Sequence, residues 1–141
     1  MKKLSDAKKS VLGNMIIRQT MGGTRKEDKI RDKDELIERI RKEYNRQDSE
    51  TTYKLNLTML DVSKVNDMSN LFTEFNYLKS IDVSNWDVSN VKDMYSMFFK
   101  CSSLESIDVS NWDVRNVKSI IDTFTGCNFN YKKEGNKLVK I

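Results

Sequence analysis

Apolar positions recur along this chain at two spacings, and each predicts a different element. Over Ile81-Asp82-Val83-Ser84 they alternate with polar positions, the period-2 signature of a half-buried strand. Trp86 and Val88 continue that alternation. From Val91 the spacing changes, and Val91, Met94, Met97, Phe98 and Cys101 fall on one face of a helix. Asn90 stands where its N-cap belongs, with Asp93 three residues on. The pattern then repeats. Ser80–Met94 and Ser106–Ile120 are identical at twelve of fifteen positions, at an offset of 26. One period earlier, Lys54–Met68 is identical to Ser80–Met94 at six of fifteen positions, and apolar positions stay apolar. Leu55, Ile81 and Ile107 form one column; Leu57, Val83 and Val109 a second; Leu60, Trp86 and Trp112 a third; Phe72, Phe98 and Phe124 a fourth.

A single strand–helix unit of 26 residues cannot bury its own apolar face, whereas stacked units share a continuous core. The period lies within the leucine-rich-repeat range of about 20–29 residues. The expected fold is therefore an α/β repeat solenoid: about three leucine-rich-repeat-like strand–helix coils, an N-terminal capping helix and a C-terminal β-hairpin cap. Leu36, Ile37, Ile40 and Tyr44 form the apolar stripe of the capping helix, from Asp34 to about Arg46. At the other end the register fails, because Lys133 and Gly135 stand one period after Ile107 and Val109. There Phe129–Tyr131, a turn at Glu134–Asn136 and Leu138–Ile141 predict a closing hairpin. The implied division is a leader over 1–31, a capping helix over 32–50, repeats over 51–128 and a cap over 129–141.

Charge sharpens the division. The chain carries 25 Lys+Arg against 21 Asp+Glu, a net +4. Residues 51–141 hold eleven of each sign, so the excess lies ahead of them. Residues 1–31 hold nine basic side chains against three acidic ones. Leu4, Val11, Leu12, Met15, Ile16 and Met21 give this leader an amphipathic helical pattern, stopped by Gly22-Gly23. Thr24 with Glu27 would cap a short second helix. Charges at Asp6, Lys8 and Lys9 break the apolar core that a secretory signal needs. No apolar run approaches the ~18 residues of a membrane span. The expected location is therefore cytoplasmic or virion-associated.

Composition narrows the chemistry. The chain has no His, which excludes Ser-His-Asp and Cys-His catalysis and any His-containing zinc site. Its two Cys cannot form a disulfide scaffold. No cofactor and no metal site is expected, and the chain does not read as an enzyme.

The units IDVSNWDVSNVKDM and IDVSNWDVRNVKSI, followed by Met97-Phe98, Cys101 and Leu104, resemble the BspA-type bacterial surface-protein leucine-rich repeats. The resemblance extends back through Lys33, Glu35-Leu36, Ile40, Leu55-Asn56 and Leu60-Asp61-Val62-Ser63, and covers about residues 33–128. It implies a non-catalytic repeat fold, often at cell surfaces and often in adhesion or protein binding. The same repeats also occur in short bacterial and phage-encoded proteins. A cell-surface location is thus the family-based alternative.

Candidate sites follow from the columns. Trp86 and Trp112 share the apolar register of Leu60, which favours packing over ligand stacking. Cys101 and Cys127 stand one period apart and read as small buried hydrophobes. Asp82 and Asp108 form an outward ladder, and Asp61, Asp87 and Asp113 form another, both suited to turns whose carboxylates bond nearby amides. The strand-face row Asn56, Asp82, Ser84, Asp108 and Ser110 is the best candidate for partner binding, since repeat solenoids present contacts on that face. In the leader, Leu4, Val11, Met15 and Arg18 mark a docking stripe, and residues 1–21 a possible self-association segment. Its six excess charges would also allow non-specific nucleic-acid binding, with a log–log salt slope no steeper than about −5.

The expected function is a non-catalytic protein–protein interaction or structural module, virion-associated or part of a larger assembly. It would bind through the repeat surface and dock through the N-terminal helix. Two alternatives are a cell-surface adhesin exported by an unseen route and a nucleic-acid-associated protein acting through the leader.

Overall fold

A computed structural model describes residues 28–46 and 54–141. The amphipathic helices expected before Glu27, with Leu4, Val11, Met15 and Arg18, lie outside the described residues. The helix α1 spans Lys33–Asn45. It starts there because Asp32 has extended backbone and its carboxylate accepts the Glu35 amide at 3.0 Å. Glu35 reaches back to the Arg31 amide and guanidinium, at 3.0 and 2.8 Å. Leu36 and Ile40 are buried on its inner face, while Ile37 and Tyr44 pack beside them.

Strand β1, Lys54–Asn56, pairs in parallel with β2, Ser80–Asp82. The register is Lys54 with Ser80, Leu55 with Ile81 and Asn56 with Asp82, so like columns sit side by side. Isolated parallel bridges keep the same offset at Asp67–Asp93, Ser80–Ser106 and Asp93–Ser119. Ahead of the first repeat, the Ile30 amide donates to the Asp61 carbonyl and the Asp61 amide to the Asp28 carbonyl, around a Lys29–Asp61 bridge. The chain described here ends in an antiparallel hairpin of β3, Tyr131–Glu134, and β4, Lys137–Lys140. Gly135, with φ +61°, makes its turn.

The α/β repeat solenoid of leucine-rich-repeat-like strand–helix coils is overturned. Among the described residues there is one α-helix, and it precedes the repeats. The sheets are two, separate, and of two strands each. The stretch from Val91 to Cys101, expected to be helical, is a chain of turns. An α-helix closes each amide onto the carbonyl four residues back. Here the amides of Met94, Ser96, Phe98 and Lys100 bond instead to Ser119, Ile121, Thr123 and Thr125 of the next repeat. The intervening amides of Met97, Phe99 and Cys101 close three-residue turns onto Met94, Ser96 and Phe98. Ser96 and Lys100 have φ of 54° and 60°, a left-handed conformation that a right-handed helix forbids. Asn90 accordingly caps no helix; its side-chain amide donates to the Ser63 carbonyl at 2.7 Å. Turns that each close onto the carbonyl three residues back leave Met94, Met97, Phe98 and Cys101 buried, and so imitate helical spacing.

One apolar core runs through the repeats. Phe98 lies between Phe72 and Phe124, with ring centroids 5.2 and 5.6 Å away and planes nearly parallel. Trp86 and Trp112 are buried beside this stack. Their indole N–H groups donate to the Leu57 and Val83 carbonyls at 3.0 and 3.1 Å, so neither polar atom is stranded. The columns of Leu55, Leu57, Val62 and Val65 are likewise buried, and in that of Met68 only Ile120 is half-buried.

Candidate functional site

Strand alternation separates the two faces of the repeats. Leu55, Ile81 and Ile107 turn inward and are buried, while Asn56, Asp82 and Asp108 turn outward and are exposed. Each outward residue is held by the residue two positions on. The Asp82 carboxylate accepts the Ser84 amide and hydroxyl, at 3.2 and 2.7 Å. Asp108 accepts the same pair from Ser110, at 3.0 and 2.6 Å. Asn56 does so with Thr58, at 2.9 and 2.6 Å. These short loops fix the direction of the acidic groups before anything binds.

Between the second and third repeats this face forms an open cleft of about 260 Å³. Ser80, Ile81, Asp82, Ser84, Ser106, Ile107 and Asp108 line it. Of the row expected from the sequence, Asp82, Ser84 and Asp108 thus come together in the cleft. Asn56 and Ser110 share the face but do not line it. Ser80 and Ser106 complete the lining; their common column was a usable signal, since they bridge one another one period apart. The hairpin borders the cleft in a way that no repeat pattern announced. The Tyr131 hydroxyl donates to the Ile107 carbonyl at 3.1 Å, and the Lys137 ammonium donates to the Ser110 carbonyl at 3.3 Å.

The site is built to accept hydrogen bonds. The Ser110 hydroxyl, followed by the Ser110 amide, holds the Asp108 carboxyl below the usual carboxylate range. It is therefore ionised at neutral pH and serves as an acceptor rather than a general acid. Burial, and then the charge of Asp108, raise the Tyr131 phenol. Among the described residues no lysine or arginine lines the cleft.

The second acidic ladder has a local role. Asp61 and Asp87 each accept the amide and hydroxyl of the serine two residues on, and Asp113 accepts the amide and guanidinium of Arg115. Among the described residues no group of three or more His, Cys, Asp or Glu stands where it could hold a metal ion. The two cysteines are free. Their thiols donate to the Phe72 and Phe98 carbonyls at 3.0 and 3.1 Å. Burial pushes the Cys101 thiol up to about 12, which removes the thiolate a nucleophile needs. Among the described residues no helix is long and apolar enough to cross a membrane.

Residues 41–138 match the family model described as "Mycoplasma protein of unknown function, DUF285". No curated protein and no solved structure matches the chain.

Proposed function

The chain belongs to this Mycoplasma family of unknown function, and on that premise we propose that it is a non-catalytic protein-interaction module. Its contact surface is the open cleft between the second and third repeats. The observation that carries this reading is the pairing of Asp82 and Asp108 in one cleft, each pre-set by its own serine. Groups held in place before binding lose little freedom on binding. In each carboxylate it is one oxygen, Oδ1, that takes the two local bonds, which leaves Oδ2 to face a partner. The fitting partner is a protein segment bearing lysine or arginine, with serine hydroxyls and exposed backbone supplying the polar rim. The resemblance of the repeats to BspA-type surface proteins, which often act in adhesion or protein binding, supports the same class of function.

The test uses the Asp82→Asn, Asp108→Asn double variant of the full chain. Asparagine suits this position, because Asn56 makes the same two bonds in the first repeat. Tetra-arginine is titrated into isotope-labelled protein at low salt. We expect saturable amide shifts confined to 80–84 and 106–110, and their loss in the double variant at unchanged fold. Shifts scattered over the surface, or equal in both proteins, would overturn the proposal.

A further inference from the structure

We infer that the open backbone edge of the third repeat docks a segment of a partner protein folded into the same chain of turns as the inner rows, with backbone carbonyls offered from alternate residues. The edge consists of the N–H groups of Ile120, Asp122, Phe124 and Gly126. Their counterparts in the second repeat donate to Ser119, Ile121, Thr123 and Thr125 at 2.8 to 3.1 Å. Those in the first repeat, Met68, Asn70, Phe72 and Glu74, donate to Asp93, Tyr95, Met97 and Phe99 at 2.8 to 2.9 Å. In the third repeat the same four groups have no acceptor among the described residues.

This edge is chemically unusual. All eight bonds of the two inner rows run in one direction, so these four positions of the outer row present donors. The acceptor beside them is the Lys118 carbonyl, in the column where Asn66 and Lys92 accept from Lys92 and Lys118 at 2.8 Å. An ordinary strand edge offers both donors and acceptors. The occupant must therefore bring acceptors from alternate residues of a chain of turns, as Asp93–Phe99 and Ser119–Thr125 do for the inner rows, because a fully extended strand spaces its carbonyls too widely to match a row contracted by turns. Asp122 and Gly126, with φ of 57° and 85°, repeat the left-handed positions of Ser96 and Lys100. The row is thus already in the conformation that bonds in the inner rows. Beside it Ile121 is 64% exposed, in the column of the 43%-exposed Tyr95, and offers an apolar contact to one incoming side chain.

The two ends of the repeats are covered differently. At the C-terminal end Phe129, ahead of the hairpin, and Tyr131, at its start, lie with their rings 6.0 and 5.1 Å from that of Phe124. They extend the aromatic column but give the row no carbonyl. The carbonyls that would match it are those of Asp67, Ser69, Leu71 and Thr73 in a second copy. Helix α1 runs along that stretch. Lys33 bonds to Ser69 at 2.6 Å near its start, Tyr44 stacks on Phe75 at 4.9 Å just past its end, and Leu71 between them is buried. A second copy would have to shed its helix to dock, so a different protein segment is the better occupant. This edge is separate from the Asp82–Asp108 cleft and does not depend on its role.

The probe is a synthetic peptide of residues 92–101 of this chain, with Cys101→Ser. Inside the molecule this segment supplies the carbonyls that the first row uses. It is titrated into isotope-labelled full chain. We expect saturable amide shifts at Ile120, Asp122, Phe124 and Gly126, and binding about fivefold weaker in Ile121→Glu, a loss of one exposed apolar contact. Absence of shifts at these four amides would overturn the inference. So would shifts confined to the Asp82–Asp108 face, or shifts at the four amides that grow with protein concentration alone, which would mean that a second copy occupies the edge. Slow hydrogen exchange of the four amides in the free chain, as at Met94 to Lys100, would also overturn it.

Discussion

Cys101 and Cys127 show how one repeated residue can serve structure without chemistry. Each thiol donates to a phenylalanine carbonyl 29 residues earlier, so each ties its repeat to the one before. Burial raises both thiols, Cys101 to about 12. Iodoacetamide at pH 8 should therefore leave Cys101 unmodified in the native protein and label it fully in urea. Mass mapping of the two samples checks this, and native labelling of Cys101 would contradict the burial argument. The tryptophans follow the same logic. Their shared column with Leu60 pointed to packing, and both are buried. The bonds from their indoles to the previous repeat were not legible, because periodicity ranks hydrophobicity and says nothing about a polar edge. The acidic ladders were legible as turn formers. Which of them would share a cleft was not, since that depends on how deeply the surface folds between repeats.

At the scale of elements, α1 and the C-terminal hairpin follow local rules. Asp32 caps the helix, an apolar stripe orients it, and Gly135 turns the hairpin. The stretch after each Val91-type position does not follow them. Its apolar spacing matches a helix, yet its amides bond across to the neighbouring repeat. Tertiary pairing thus overrides a local periodic signal. A clue was present in the column of Glu74, Lys100 and Gly126, where the third member is glycine. All three have positive φ, between 60° and 85°. Gly126 carries a further constraint, because an added Cβ would stand 3.0 Å from the Lys100 Cα. Gly126→Ala should therefore destabilise the protein by about 1–3 kcal/mol, from strained backbone and steric contact together. Gly135→Ala, with φ +61° and nothing within 4 Å of the new Cβ, should cost only about 1 kcal/mol. Urea unfolding of the two variants checks the order; equal losses would mean that the contact with Lys100 relaxes freely.

For the whole molecule, stability should depend on acid in a defined window. The hydroxyl and amide of Ser63 hold the Asp61 carboxyl low, those of Ser110 hold Asp108 low, and the side chain and amide of Arg115 hold Asp113 low. A carboxyl depressed in the folded state stabilises it above the unfolded value, near 4. That contribution is lost as the pH falls through the folded value. With no His in the chain, no imidazole titrates between pH 5 and 8. The urea midpoint, followed by fluorescence of Trp86 and Trp112, should stay level from about pH 8 to 5 and fall below about pH 4. Asp61→Asn should flatten that fall. A midpoint that drops between pH 8 and 6 would show that another group controls folding. The same scale brings out the asymmetry of the two ends, one covered by a helix and the other with donors that find no acceptor among the described residues.

The sequence by itself determined the columns. A period of 26, with like residues in register, dictates which side chains face inward and which face outward, because burial of apolar surface depends on composition at each position. It also located the excess of positive charge ahead of residue 51 and the acidic strand face. Only the tertiary structure decided what backbone carries those columns. Hydrogen bonds are directional, and whether an amide closes onto its own turn or onto a neighbour depends on what the fold brings alongside. That choice replaced the expected helices with turns. It also placed Asp82 and Asp108 in one cleft and gave the third repeat an edge of N–H groups without acceptors among the described residues.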